Sequence, residues 1–391
     1  MRPIYLDHNA TTPLSAEAFA AMEPFLRGQY GNPLTGHRFG SGPRAAVEAA
    51  RTDVLALLGP KAAETFDVVF DSGGTEALNH AVKGLAFRSL ETGRAGVRRR
   101  IVIGAMEHYA VAGSAKWLAE RFGFEVVEVA PGRDGVVPVD GFVEHLDPRT
   151  TLLASLQWAN NEIGTLQPVR EVGRLCREQG IPFVTDTVQC PGKTDLSAAP
   201  DVADVVAFSA HKLYGPKGCG ALVVRKGLEL DVLVHGARQE DGRRGGTHNV
   251  AGIVGFAAAA RAAREGLARE APRLAQLRDQ MWAAIERSVK GAHWNGRGAA
   301  LLPNTLNVSF DGCPSHLLAE AMDAMGIAIS QGAACRSGAV TPSHTLQVMG
   351  LSDARSTTSV RVSLGHSTTA HDVQAVADAF AEATQRVRGA L

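Results

Sequence analysis

Three features of this 391-residue chain predict an α/β fold with a largely parallel central sheet. Seven short β-type runs alternate with stretches whose apolar residues recur at helical spacing. Most of those runs are apolar throughout instead of alternating, as strands covered on both faces should be. After a loop rich in Gly and Arg at 236–249 the alternation becomes irregular, which predicts a smaller α+β unit behind the first.

In chain order, residues 5–13 read as a polar, turn-rich opening. Helical spacing follows over 16–26, Gly31-Asn32-Pro33 breaks it, and it resumes over 44–58. Strands are expected over 66–70, 100–104, 124–129, 152–156, 182–185, 204–208 and 221–224. Helices are expected over 75–87, 108–121, 139–145 and 169–179. Residues 251–289 fit one long helix or two consecutive ones. Beyond them come strands over 305–310 and 359–364, helices over 316–325 and 370–387, and a glycine-rich loop over 330–338. The boundary is expected near residues 261–264. Residues 15–262 then form the large α/β domain, and 1–14 with 263–391 the smaller α+β domain.

Composition limits the function. The chain is 45% hydrophobic and 20% charged, with a formal net charge of zero. That balance points away from nucleic acid or an anionic membrane as the main partner. No apolar run approaches a membrane span and the N-terminus lacks a signal core, so a cytoplasmic protein is expected. The five cysteines form no CxxC pair, and neither a metal nor a disulfide framework is signalled.

The chemistry gathers where strands end. Ser209-Ala210-His211-Lys212 follows the apolar run at 205–208, and lysine is scarce, eight against thirty-two arginines. An amine just past a buried strand can lose its proton and become a nucleophile. Asp71-Ser72-Gly73-Gly74-Thr75-Glu76 joins a strand to a helix, whose N-terminus favours an anion such as phosphate. His108 could stack on a flat ring or shuttle protons. Asn160-Asn161 could orient a polar substrate. Asp186 ends a strand and needs a cationic partner, which a protonated ring nitrogen would supply. Cys335 lies among small residues beside Arg336, which could help stabilise a thiolate. Arg361 could grip a carboxylate. Singly, each has an ordinary structural meaning as a cap, a turn or a solvated side chain. Together they are the parts of a pyridoxal-phosphate site acting on a sulfur amino acid.

The chain also resembles the cysteine desulfurases of the nitrogen-fixation and iron–sulfur-assembly type, relatives of the class V aminotransferases in pyridoxal-phosphate fold type I. The similarity runs from Tyr5 to Gly365. Its most specific parts are the segment Asn160-Asn161-Glu162-Ile163-Gly164-Thr165, Ser209-Ala210-His211-Lys212, Arg244-Gly245-Gly246-Thr247-His248-Asn249 and Cys335-Arg336-Ser337-Gly338. The resemblance implies removal of sulfur from L-cysteine, giving L-alanine and a protein persulfide for an acceptor. Selenocysteine lyase or another C–S lyase is the alternative on the same fold. Lys212 would bind the cofactor covalently, Asp186 pair with its ring nitrogen, Gln189 with its phenolic oxygen, and His108 stack on the ring. Gly74, Thr75, Ser209 and His211 would hold the phosphate. Thr247 would reach the phosphate of a neighbouring subunit, which implies a homodimer. Asn161 and Arg361 would hold the substrate carboxylate, and Cys335 would carry the persulfide. Arg238, Gln331 and His366 depart from the usual pattern, and none is itself a predicted catalytic group.

Overall fold

The computed structural model describes residues 2–91, 98–331, 334–336 and 339–390, with residues 334–336 and 339–340 described by backbone alone. Its larger sheet has seven strands: β1 (Phe66–Asp71), β2 (Arg100–Gly104), β3 (Glu125–Val129), β4 (Thr151–Ser155), β5 (Phe183–Asp186), β6 (Val205–Ser209) and β7 (Gly220–Arg225). They lie in the order β1-β7-β6-β5-β4-β2-β3. Strands β2 to β6 are parallel, and β7 runs antiparallel between β6 and β1. Six strands therefore point the same way. The loops carrying most of the expected site residues all leave the carboxyl edge of this sheet, where open α/β folds bind their ligands.

The central strands are apolar because helices cover both faces. β4, β5, β6 and most of β7 are buried residue by residue, and separate apolar clusters fill the two sides of the sheet. Each expected strand forms, with edges shifted by at most a residue or two. Helices α1 (Gly74–Glu91) and α2 (Tyr109–Phe122) pack on one face. The α2 N-terminus is capped by His108, whose Nδ1 accepts the Ala110 N–H at 3.1 Å. Gly123, with φ 68°, turns the chain out of the far end.

A four-stranded antiparallel sheet builds the second core, in the order Ser330–Gln331, Ser359–Ser363, Thr305–Phe310, Ala292–Trp294. Helix α3 (Val250–Ser288) spans both cores: Ile253, Phe256 and Ala260 pack in the first, Leu274, Met281 and Ile285 in the second. It is one helix, not two. Pro272 lies inside it, at the stretch where its buried face passes from one core to the other.

Three expectations need correction. The helix expected over 44–58 begins at Arg38, because Gly40 lets the backbone press against the turn before it; a Cβ there would meet the Asn32 carbonyl oxygen at 2.5 Å. The loop expected over 330–338 contains strand Ser330–Gln331, recruited by pairing with Ser359–Ser363, and strand Ala334–Arg336, paired with Ala339–Thr341. The turn-rich opening is tied down as well: Ile4–Tyr5 pairs with Ile327–Ala328, and Leu6 is fully buried in the second core. Local propensity gives no warning of the strands at 4–5 and 330–331, since their partners at 327–328 and 360–361 are distant in sequence.

Candidate active site

Lys212 is delivered by a tight turn. After β6, Ala210–Lys212 makes one 3₁₀ turn, and Gly215 folds back so that its N–H reaches the Ala210 carbonyl at 2.9 Å. A Cβ at Gly215 would lie 2.9 Å from that carbonyl oxygen, so the position needs glycine. Tyr214 takes φ 66°, held by its N–H on Thr12 Oγ1 at 2.8 Å and by its hydroxyl, which accepts the His366 N–H at 2.8 Å. Lys212 Nζ donates to the carbonyls of Asn9 and Ala10 at 2.6 and 2.8 Å. Burial, then the charge of Arg361, pushes this amine down to about 8 against the opposing pull of Asp186 and Asp7. Near neutral pH it is therefore partly uncharged and able to act as nucleophile or base.

A cavity of about 150 Å³ opens beside it. Asp186, Gln189, His108 and Asn161 line this cavity with Lys212. Gly74, Thr75, Ser209 and His211 line it too, and they also wall a contiguous opening of about 300 Å³ that adds Thr11 and Lys217. Nine of the twelve expected site residues are thus brought together. Arg361 lies in a neighbouring cavity of about 360 Å³, which shares His108 and Asn161. Thr247 is exposed and does not line the cavity of its own chain. The Cys335 side chain lies outside the described residues.

The cavity fits pyridoxal phosphate on its own geometry. Asp186 is buried, one oxygen accepts the Val188 N–H at 2.9 Å, and no ion pair to it occurs among the described residues. Burial drives its carboxyl up from the usual range, although His108 and Lys212 oppose the rise. A protonated ring nitrogen is the cation such a carboxylate lacks. At the phosphate end, Gly73 has φ 148° and a Cβ on Gly74 would strike Val188 Cγ2 at 2.6 Å, so the α1 N-terminus comes close to the cavity. His211 accompanies it, its Nδ1 3.1 Å from Thr11 Oγ1. Burial and then Lys212 lower His211 to about 4, so the free imidazole is neutral.

Arg361 is a buried residue, not the solvated strand arginine its position could have meant. Its Nη2 donates to Asp7 Oδ1 at 2.6 Å and its Nη1 to the Asn161 carbonyl at 3.2 Å, while Nε is buried with no hydrogen-bond partner among the described residues. One guanidinium edge is fixed and an N–H is left over for a carboxylate.

Several contributors escaped sequence reasoning. Asn9 supplies the carbonyl under Lys212, and its side chain bonds Thr305, Asn304 and the Asn161 carbonyl. Asp7 is the partner of Arg361. Glu107 braces the ends of β2 and β4 by accepting the Gln157 N–H at 2.5 Å; burial holds its carboxyl well above the usual range. The opening segment belongs to the quoted resemblance, and that was the one available signal for Asp7 and Asn9.

The amine state is testable. With a midpoint of about 8, the rate at which cofactor-free protein captures pyridoxal phosphate should rise roughly fivefold from pH 7 to 8 and level off above 9, as the amine loses its proton. Stopped-flow absorbance measures it; a flat profile would contradict the lowered value.

Fold and site together define an enzyme of pyridoxal-phosphate fold type I. The family described as Aminotransferase class-V matches residues 4–376. A cysteine desulfurase IscS of Dictyoglomus turgidum is 37% identical over 387 residues, covering 99% of this chain and 96% of that protein. A solved NifS-like protein superposes with a TM-score of 0.88 at 33% identity over 100% of both chains. A structure of SspA in complex with cysteine gives a TM-score of 0.79 at 32% identity, over 92% of this chain and 98% of that one. The chain belongs to the class V aminotransferase family, whose members depend on pyridoxal phosphate.

Proposed function

We propose that this protein is a cysteine desulfurase, which takes sulfur from L-cysteine, releases L-alanine and holds the sulfur as a persulfide on Cys335 before transfer to an acceptor. The observation that carries the reading is the convergence of Lys212, Asp186, Gln189 and His108 on one cavity, with Asn161 shared with the chamber of Arg361. Bound pyridoxal phosphate supplies an electron sink for the bonds to the substrate Cα.

The chain's own residues supply the rest. Lys212 would hold the cofactor and, as a free amine, would take the substrate's Cα proton. Asp186 would pair with the ring nitrogen, Gln189 would serve the phenolic oxygen, and His108 would serve the ring face. Gly74, Thr75, Ser209 and His211 hold the phosphate. Arg361 and Asn161 hold the substrate carboxylate, which leaves the substrate sulfur for attack by the Cys335 thiolate. Residues 15–262 form the cofactor domain, and 1–14 with 263–391 the smaller domain that carries Cys335. Exposed Thr247 reaches the phosphate end of a second subunit's cavity, so the working unit is a homodimer. The acceptor is an iron–sulfur scaffold or another sulfur carrier, in the cytoplasm, where free thiols such as those of the four buried cysteines persist.

The test is incubation with isotope-labelled cysteine, mass spectrometry of the peptide around residue 335 and assay of alanine. The wild type should label that peptide and release alanine. Cys335→Ala should keep the bound chromophore and lose the labelled persulfide. Wild-type desulfuration rates in Cys335→Ala with a thiol acceptor present would remove the role given to that residue.

A further inference from the structure

Lys193 belongs to none of the groups above, yet it touches one of them. The turn after β5 is closed by the Cys190 N–H on the Thr187 carbonyl at 2.8 Å and the Lys193 N–H on the Cys190 carbonyl at 2.9 Å. Gly192, with φ 72°, lies so close to α3 that a Cβ would stand 3.2 Å from that of Ala263. The turn folds the Lys193 side chain back onto Gln189, and Nζ donates to Gln189 Oε1 at 3.2 Å. Lys193 also lines a cavity of about 280 Å³ together with Lys212.

This amine is costly to keep. The residue is half-buried, and burial followed by the Lys212 charge pushes the amine down to about 7. No carboxylate pairs with it among the described residues, and Gln189 is its hydrogen-bond partner there. A desolvated amine without a counter-ion lowers stability, a cost that a functional role would explain.

We infer that Lys193 is a positioning residue for Gln189, fixing which face of that amide meets the cofactor. The inference rests on the reading that the 150 Å³ cavity holds pyridoxal phosphate. Lys193 Nζ donates to the amide oxygen, the one arrangement open to its ammonium form and one its neutral form also allows. A carbonyl can only accept, so the atom facing Asn9 O, 3.0 Å away, must be the amide nitrogen. Both contacts are met in the same orientation, which leaves one Gln189 N–H for an oxygen in the cavity. The same Asn9 carbonyl receives Lys212 Nζ, so Gln189 and Asn9 join the two lysines in one hydrogen-bonded chain. Hydrogen bonds in such a chain polarise one another, and the donor left on Gln189 is strengthened by the charge behind it.

The experiment compares wild type, K193M, K193R and Gln189→Ala. It measures the dissociation constant of pyridoxal phosphate from the cofactor-free proteins and the absorption maximum of the bound cofactor. K193M should weaken binding about fivefold, the value of one lost hydrogen bond, and move the absorption maximum. K193R should return both to within about twofold of wild type. In a Gln189→Ala background, K193M should add nothing, as expected of residues acting through one contact. Lys193→Gln, which keeps an N–H donor without the charge, replaces K193M under the same criteria if K193M does not fold. Wild-type affinity and spectrum in K193M, or an undiminished effect without Gln189, would overturn the assignment while leaving the cofactor reading intact. A wild-type protein that takes up no pyridoxal phosphate would overturn both.

Discussion

Replacing Lys212 by alanine should lower alanine production from cysteine by at least about a thousandfold, because two separate functions leave with one amine. The first is covalent attachment of the cofactor, so the absorption band of lysine-bound pyridoxal phosphate should vanish while the ligand still binds reversibly to the remaining walls. The second is transfer of the Cα proton, for which Lys212 is the proposed base: in the same reading Asp186 serves the ring nitrogen and His108 the ring face, and Gln189 cannot titrate. The fold should survive. Lys212 donates to two backbone carbonyls, of Asn9 and Ala10, and Lys212 itself lines a cavity from which water can replace the amine. Thermal unfolding of the cofactor-free variant should therefore stay close to wild type, and added methylamine should restore a small part of the turnover. If turnover persists in Lys212→Ala without added amine, the proton is moved by another group.

What the sequence revealed here and what it hid have the same physical cause. Strands such as 205–208 are legible because burial on both faces makes them apolar without interruption. The residues just past them are legible because ligand chemistry in an open α/β sheet sits at those ends. Lys212, Asp186 and Gly74 were found that way. Asp7 and Asn9 were not, since their partners Arg361 and Thr305 lie 354 and 296 positions away and only the folded chain brings them together. Lys193 was hidden differently: a Gly-Lys pair in a turn is ordinary until its amine is seen to lack a carboxylate. Ala334–Arg336 was read as part of the 330–338 loop, and its pairing with Ala339–Thr341, not its composition, makes it a strand.

Glu240 should be the most damaging substitution outside the active site. It is 4% exposed and takes φ 47°, a left-handed conformation that costs a non-glycine residue energy. Four donors hold it there: Arg51 Nη1 and Nη2 at 2.7 and 2.8 Å, His248 Nε2 at 2.7 Å and the Phe70 N–H at 2.9 Å. Burial opposes the charge, but His248 and Arg51 outweigh it and hold the carboxyl down at about 2. Glu240→Ala would leave the largely buried Arg51 only Glu48 and the Val68 carbonyl as partners and two further N–H groups without acceptors, a loss of about 3 kcal/mol. The acid side gives an independent check. A carboxylate lowered from 4.5 to about 2 contributes about 3 kcal/mol that is fully present above pH 4.5 and disappears as pH falls towards 2. Glu240→Gln should lose much of that slope, which urea unfolding between pH 2.5 and 6 would read. The consequence reaches the site as well. His248 is the neighbour of Thr247, and Arg244 on the same loop is fixed to Glu76 beside Thr75 at 2.8 Å, so the exposed threonine stands between two anchored points. Thr247→Ala should leave the melting temperature unchanged. Glu240→Gln should lower it, and equal melting temperatures for the two variants would show that Glu240 does not hold the loop in place.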